Sequence, residues 1–139
     1  LSDCGLSPTA IVGATSQQLG GADGRRGGGF VIGADAIPTG LRAGGPGVLV
    51  AESCEFNRSF HHYHPTLAVI TSVEADHLDI YGSLDAVVES FHHFAQLVAS
   101  EADGGLLLIA HDGAHRREVT AGVSARVETI GFHPDADGA

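Results

Sequence analysis

Lysine is missing from all 139 positions, and the seven basic residues are all arginine. A Walker-type phosphate loop uses a lysine to reach the β- and γ-phosphates, so no such lysine stands in this chain. Methionine is absent too, and the chain opens on Leu1; it is therefore expected to be a piece of a longer product. Seventeen acidic residues against seven basic ones leave a formal net charge of −10. That balance disfavours nucleic acid as a partner, because neutralising phosphates takes Lys and Arg. No apolar run approaches the ~18 residues of a membrane span and no secretory leader is visible, so no membrane insertion and a cytoplasmic location are expected. Cys4 and Cys54 are the only cysteines. Two distant thiols in a chain of this kind read as reduced and structural, without a disulfide framework.

What is present suits one domain with a real core. Thr9–Ala14 is a short apolar run between turn residues and predicts a buried strand. Residues 18–29 are Gly-rich and polar, and predict a mobile loop, with Gly24–Gly29 as a weak candidate anion cradle. Phe30–Gly33 predicts a short strand, and a second Gly/Pro-rich loop follows to Gly47. Apolar runs at 48–51 and 67–71 predict two further strands, with a helical stretch near Asn57–Tyr63 between them. Ser83 reads as an N-cap with Asp85 in the first turn. Leu84, Val87, Val88, Phe91, Ala95 and Val98 then recur at helical spacing, which predicts an amphipathic helix over 84–100. A buried strand at 106–110, a weaker helix near 113–121 and a strand at 126–132 complete the pattern. Strands alternating with helices predict an α/β fold with a mostly parallel sheet flanked by helices.

The stretch Leu49–Gly82 carries the chemistry. Each of its two strands runs straight into acidic or metal-competent side chains: the first into Glu52 and Glu55, the second into Glu74, Asp76 and His77. Open parallel sheets bind ligands beyond the carboxyl ends of their strands, so Glu52 and His77 are expected on one edge of one sheet, at the ends of adjacent strands. Carboxylates beside an imidazole suit a divalent metal; from donor chemistry alone the imidazole favours Zn²⁺ or Mn²⁺ over Mg²⁺.

The segments Glu52-Ser53-Cys54-Glu55-Phe56-Asn57-Arg58-Ser59-Phe60 and Thr71-Ser72-Val73-Glu74-Ala75-Asp76-His77-Leu78-Asp79-Ile80-Tyr81-Gly82 resemble two motifs of the Mur ligase central domain. They stand in the family's order, with 25 positions from Glu52 to His77. The resemblance is sharp over about a quarter of the chain and looser over most of the rest. It implies a truncated P-loop-NTPase-like central domain over residues 1–139, without its phosphate loop and without N- and C-terminal domains. It further implies an ATP-dependent ligase of peptidoglycan biosynthesis, closest to the members that join L-alanine to UDP-N-acetylmuramate through an acyl phosphate. Under it, Glu52 and His77 are catalytic residues and ligands of Mg²⁺, the choice over Zn²⁺ being the family's. Ser72, Glu55 and Asp76 are cofactor-binding positions, Glu55 and Asp76 orienting ligands or water. Ser72 departs from the family's usual Asn. Arg58 would act as a polar lock and Phe60 in packing.

Two other readings stay open. One is the related ligase that recycles a tripeptide. The other is a small metal-dependent phosphoesterase, which would need further ligands from His111 and Asp112. His61, His62, His64, His92 and His93 lack the spacing of a structural zinc site and are expected to be solvated or interface residues.

Overall fold

The computed structural model describes residues 1–20 and 26–131, and the chain divides into two units, Leu1–Ser53 and Cys54–Ala139. In the first unit, β1 (Thr9–Gly20) pairs antiparallel with β2 (Arg26–Val31) and parallel with β3 (Leu49–Ala51), in the order β2-β1-β3. The expected loop over 18–29 is therefore largely strand, and residues 21–25 of it, with part of the Gly24–Gly29 stretch, lie outside the described residues. Glycines make this ladder possible where they first read as loop signals. A Cβ on Gly29 would stand 2.9 Å from the Val12 carbonyl oxygen, so the two backbones approach closer than a side chain allows. β1 is not the buried strand its opening run suggests, since its described residues are half-buried or exposed.

In the second unit, β4 (Leu67–Ile70), β5 (Leu106–Ala110) and β6 (Arg126–Ile130) form a parallel sheet in the order β4-β5-β6. Parallel neighbours need a crossover, and the helices supply it. The short α1 (Leu78–Tyr81) and then α2 (Leu84–Gln96) lie between β4 and β5, and α3 (Arg116–Thr120) between β5 and β6. α2 begins where Ser83 accepts the Ala86 N–H at 3.2 Å, the predicted cap, and ends four residues short of the predicted 100. Gly82 (φ 82°) ends α1 immediately before it, a backbone that an L side chain rarely adopts.

The core lies on one face of this sheet. Ala68, Ile70, Leu107 and Ile109 pack there with Phe94, Ala95 and Val98 of α2 and its exit, and with Val119 of α3. The opposite face leaves Leu67 and Val69 more than half exposed and carries an Arg126–Glu128 ion pair at 2.7 Å. Burial alternates along β4, with Ala68 and Ile70 on the covered face and Leu67 and Val69 on the other. β3 and β4 also sit in separate sheets, so the strands preceding Glu52 and His77 are not neighbours in one sheet as expected. Hydrophobic periodicity reports which face is buried and does not specify the partner strand.

Between β3 and β4, Phe56–His62 forms a kinked 3₁₀ segment rather than an α-helix. Asn57 and Arg58 take left-handed backbone (φ 54° and 55°), which interrupts regular helix. Phe60, 3% exposed, anchors the segment with its ring 5.0 Å from Phe94 and 5.1 Å from Phe91. His61 follows, with Nε2 donating to the Ser90 carbonyl at 2.9 Å and its ring edge-on to His93 at 4.6 Å. His92 ties helix to helix: Nδ1 donates to the Val119 carbonyl at 3.1 Å, and Nε2 accepts from Gln96 at 2.9 Å.

Phe94→Ala is expected to lower the unfolding free energy by roughly 3–5 kcal/mol through the cavity it leaves. Phe56→Ala, at a half-exposed ring, should stay within about 0.5–1 kcal/mol. Urea midpoints of both variants check the contrast.

The pKa of His61 is lowered from 6.5, first by burial and then by the neighbouring His93, Arg58 and His62, against the Ser90 hydrogen bond. A histidine held neutral in the fold contributes stability that is complete above 6.5 and shrinks as pH falls from there towards the depressed folded value. His61→Gln should therefore flatten the acid limb of the stability–pH curve below pH 6.5, read by urea unfolding at a series of pH values.

Candidate functional site

β4 ends at Ile70, and the chain beyond it stays irregular until α1 opens at Leu78. Two local bonds shape this loop. The Asp76 N–H donates to the Glu74 carbonyl at 2.8 Å, and the Asp76 carboxylate accepts the His77 N–H at 2.7 Å. His77 takes left-handed backbone (φ 52°) as the residue before the helix, and its carbonyl accepts from Ile80 and Tyr81. The imidazole is thereby held at the carboxyl end of β4 and half-buried, with Nδ1 3.9 Å from Asp76.

Glu55 arrives from the segment before the 3₁₀ turn. Its Oε1 lies 3.3 Å from His77 Nε2, so each ring nitrogen of His77 faces a carboxylate. Ligand-competent atoms of Glu55, Asp76 and His77 all fall within 4.8 Å of one another. Ligands of one ion bound at about 2.1 Å stand at most roughly 4.2 Å apart, so a small side-chain rotation closes the group to ligation distance. Two carboxylates leave room for water and phosphate oxygens around Mg²⁺, and the imidazole adds affinity for Mn²⁺ or Zn²⁺. The donor set fits a divalent cation.

Aromatic rings wall the group. Phe56 meets the His77 ring edge-on at 5.2 Å, and the Arg58 guanidinium lies 4.9 Å over the Tyr81 ring. Asn57, Arg58 and His77, three of the four described non-glycine residues with positive φ, all lie in these two segments. Such backbone persists only where surroundings hold it, and it concentrates at functional sites.

The structure thus brings together three of the five expected residues. Glu55 and Asp76, expected to orient ligands, stand where they could themselves bind the ion. Glu52 is not a member of the group; it directly follows β3 in the first unit, exposed, with its carboxylate accepting the Gly13 N–H at 2.7 Å. Ser72 is exposed in the loop after β4. Tyr81 was missed as a site residue. Its signal was its position, one helical turn after His77 in a chain with only two tyrosines.

His111 and Asp112 follow β5 and border a cavity of about 410 Å³ that Arg116 and Arg117 also line. Arg116 lies 3.3 Å from His111 Nδ1 and can only donate, so that nitrogen is an acceptor already engaged beside a cation. Among the described residues this cluster forms no metal-competent group of three. Both cysteines are free and exposed, and Cys54 Sγ accepts the Phe56 N–H at 3.4 Å. No helix among the described residues is long and apolar enough to cross a membrane.

A parallel sheet flanked by helices, with a carboxylate–imidazole group beyond a strand end, defines the general class, an α/β domain. The chain belongs to the Mur ligase family: residues 40–138 match the Mur ligase middle domain. It is 41% identical over 114 residues to UDP-N-acetylmuramate–L-alanine ligase of Paenarthrobacter aurescens, covering 78% of this chain and 24% of that protein. The enzyme of the same name from Streptomyces coelicolor is 40% identical over 112 residues, with the same coverage of 78% and 24%. The chain thus spans about a quarter of the length of these curated relatives. Among solved structures, it resembles the UDP-N-acetylmuramate:L-alanyl-gamma-D-glutamyl-meso-diaminopimelate ligase from Neisseria meningitides. That match has a TM-score of 0.71 at 24% identity over 93% of this chain and 39% of the other, a likeness of fold.

Mn²⁺ titrated into the protein and followed by electron paramagnetic resonance is expected to show one bound ion. Glu55→Gln and Asp76→Asn should each weaken it by roughly tenfold or more, as loss of a charged ligand or its close support does. Glu74→Gln, outside the group, should leave the titration unchanged.

Proposed function

We propose that this chain is part of an ATP-dependent ligase that joins L-alanine to UDP-N-acetylmuramate in peptidoglycan synthesis, in the cytoplasm. The observation that carries the reading is the grouping of Glu55, Asp76 and His77 within the segment matched to the family. The names of its curated relatives supply the substrates. Joining a carboxylate to an amine requires activation, and ATP supplies it by phosphorylating the carboxylate. The amine then attacks the acyl phosphate and phosphate leaves. Phosphoryl transfer depends mainly on positioning and charge neutralisation.

Glu55, Asp76 and His77 would hold Mg²⁺, which screens negative charge on the phosphate oxygens. Glu52 and Ser72 complete the proposed binding set. Glu52 offers a carboxylate fixed by the Gly13 N–H, and Ser72 a hydroxyl that can donate to a substrate oxygen. The lysine that grips ATP phosphates in Walker loops has to come from outside these 139 residues, which contain none.

The test is phosphate release by the full-length gene product with ATP, Mg²⁺ and UDP-N-acetylmuramate. L-alanine should stimulate release and form the amide product. Stimulation by L-alanyl-γ-D-glutamyl-meso-diaminopimelate alone would assign the tripeptide reaction instead. Failure of both amines would overturn the ligase reading.

In that enzyme, His77→Ala and Glu52→Ala are each expected to lower turnover by roughly 100-fold or more. Their unfolding free energies should change by only about 0.5 kcal/mol, since both side chains are partly or fully exposed. Turnover at saturating Mg²⁺ and urea midpoints measured in parallel check this.

A further inference from the structure

The geometry points to Tyr81 as the positioning residue that fixes Glu55 against His77; the metal-affinity consequence rests on the proposed metal role of that group. Glu55 and His77 come from segments 22 positions apart in sequence. Among the described residues, no backbone hydrogen bond joins the segment 54–59 to the segment 72–81. Side chains alone make the connection. The Glu55–His77 pair is one, but it carries full charge only when the imidazole is protonated. Ring contacts of Phe56 with His77 and of Arg58 with Tyr81 add packing, and the Tyr81 hydroxyl reaches the backbone, donating to the Glu55 carbonyl at 2.5 Å.

That hydroxyl is itself well fixed. Tyr81 is 6% exposed, and its N–H donates to the His77 carbonyl at 3.0 Å, so one helical turn sets it relative to His77. Arg58 covers the ring from the other segment, and the Arg58 N–H donates to the same Glu55 carbonyl at 2.9 Å. One carbonyl thus accepts from both sides of the junction. The closed path runs from His77 along α1 to Tyr81, across its hydroxyl to Glu55, and back through the Glu55 carboxylate to His77. Left-handed Asn57 and Arg58 lie two and three positions after Glu55, and the clamp holds the chain in that backbone. No catalytic contact is assigned to Tyr81. It acts through Glu55.

The test is Tyr81→Phe, which keeps the ring beneath Arg58 and removes only the hydroxyl. In the metal-free protein, the variant should move the His77 ring resonances and speed exchange of the Arg58 amide. Mn²⁺ affinity should fall by roughly tenfold or more, the usual cost of losing an outer partner of a ligand. In a His77→Ala background, the same substitution should change Mn²⁺ affinity little, because there is no longer a partner to align. Arg58→Leu should reproduce the direction of the effect if Tyr81→Phe folds poorly. Unchanged His77 resonances and Mn²⁺ affinity, with only a lower urea midpoint, would make Tyr81 merely structural and overturn the inference. If the unmodified protein binds no Mn²⁺, the metal reading fails, and the metal-free resonances alone decide the positioning role.

Discussion

Packing of the Phe60 ring against Phe91 and Phe94 is the contact on which the candidate site depends. It is the point where the irregular segment after Glu55 is tied to α2, and α2 in turn packs on the buried face of the β4-β5-β6 sheet. Aromatic pairs of this kind add about 0.5–1.5 kcal/mol beyond their area burial. That added energy matters here because the segment makes no ladder of its own, and 3₁₀ geometry is weak support. Burial at Phe60 and the His61 bond to Ser90 therefore set where the preceding five residues can go. Glu55 is among them.

The site joins two kinds of order. His77 is positioned by regular structure, at the end of a parallel strand and the start of a helix. Glu55 is positioned by side chains, on a stretch whose backbone is left-handed at two successive positions. A carboxylate held this way is less rigid than one mounted on a strand, unless the residues around it lock. Phe56 on His77 and Arg58 over Tyr81 form such a lock from either side, and both belong to the irregular stretch itself. The Arg58-Ser59-Phe60 run thus combines a cation over a ring, a hydroxyl that donates to the Cys54 and Phe56 carbonyls, and a core anchor.

Much of the second unit was legible because its signals are local. Leu106–Ala110 is a strand within its predicted limits, and Ser83 caps α2 as its place before the helical stripe suggested. The family resemblance of the two motifs was legible from their joint spacing, and Glu55, Asp76 and His77 do meet. What failed was non-local. Gln18–Gly20 and Arg26–Gly29 read as loop, because their stability as strand comes from pairing that the sequence does not advertise. β3 and β4 looked like neighbours because both are short apolar runs followed by acids. Tyr81 read as part of a motif, and its hydroxyl found a purpose only once the fold carried the Glu55 carbonyl to it.

The one-sided cover of the β4-β5-β6 sheet bears on how this chain behaves at high concentration. Leu67 and Val69 stand exposed along β4, and β4 pairs with β5 alone among the described residues. An apolar strand with an open edge is a template for pairing with another molecule. No proline or lysine interrupts β4, and its four residues carry no charge. Colloidal protection falls instead to the chain's net charge of −10, which keeps copies apart by mutual repulsion. Such repulsion reaches about 10 Å at 0.1 M salt and only about 3 Å at 1 M. Added salt therefore removes most of the electrostatic barrier to self-association of this chain.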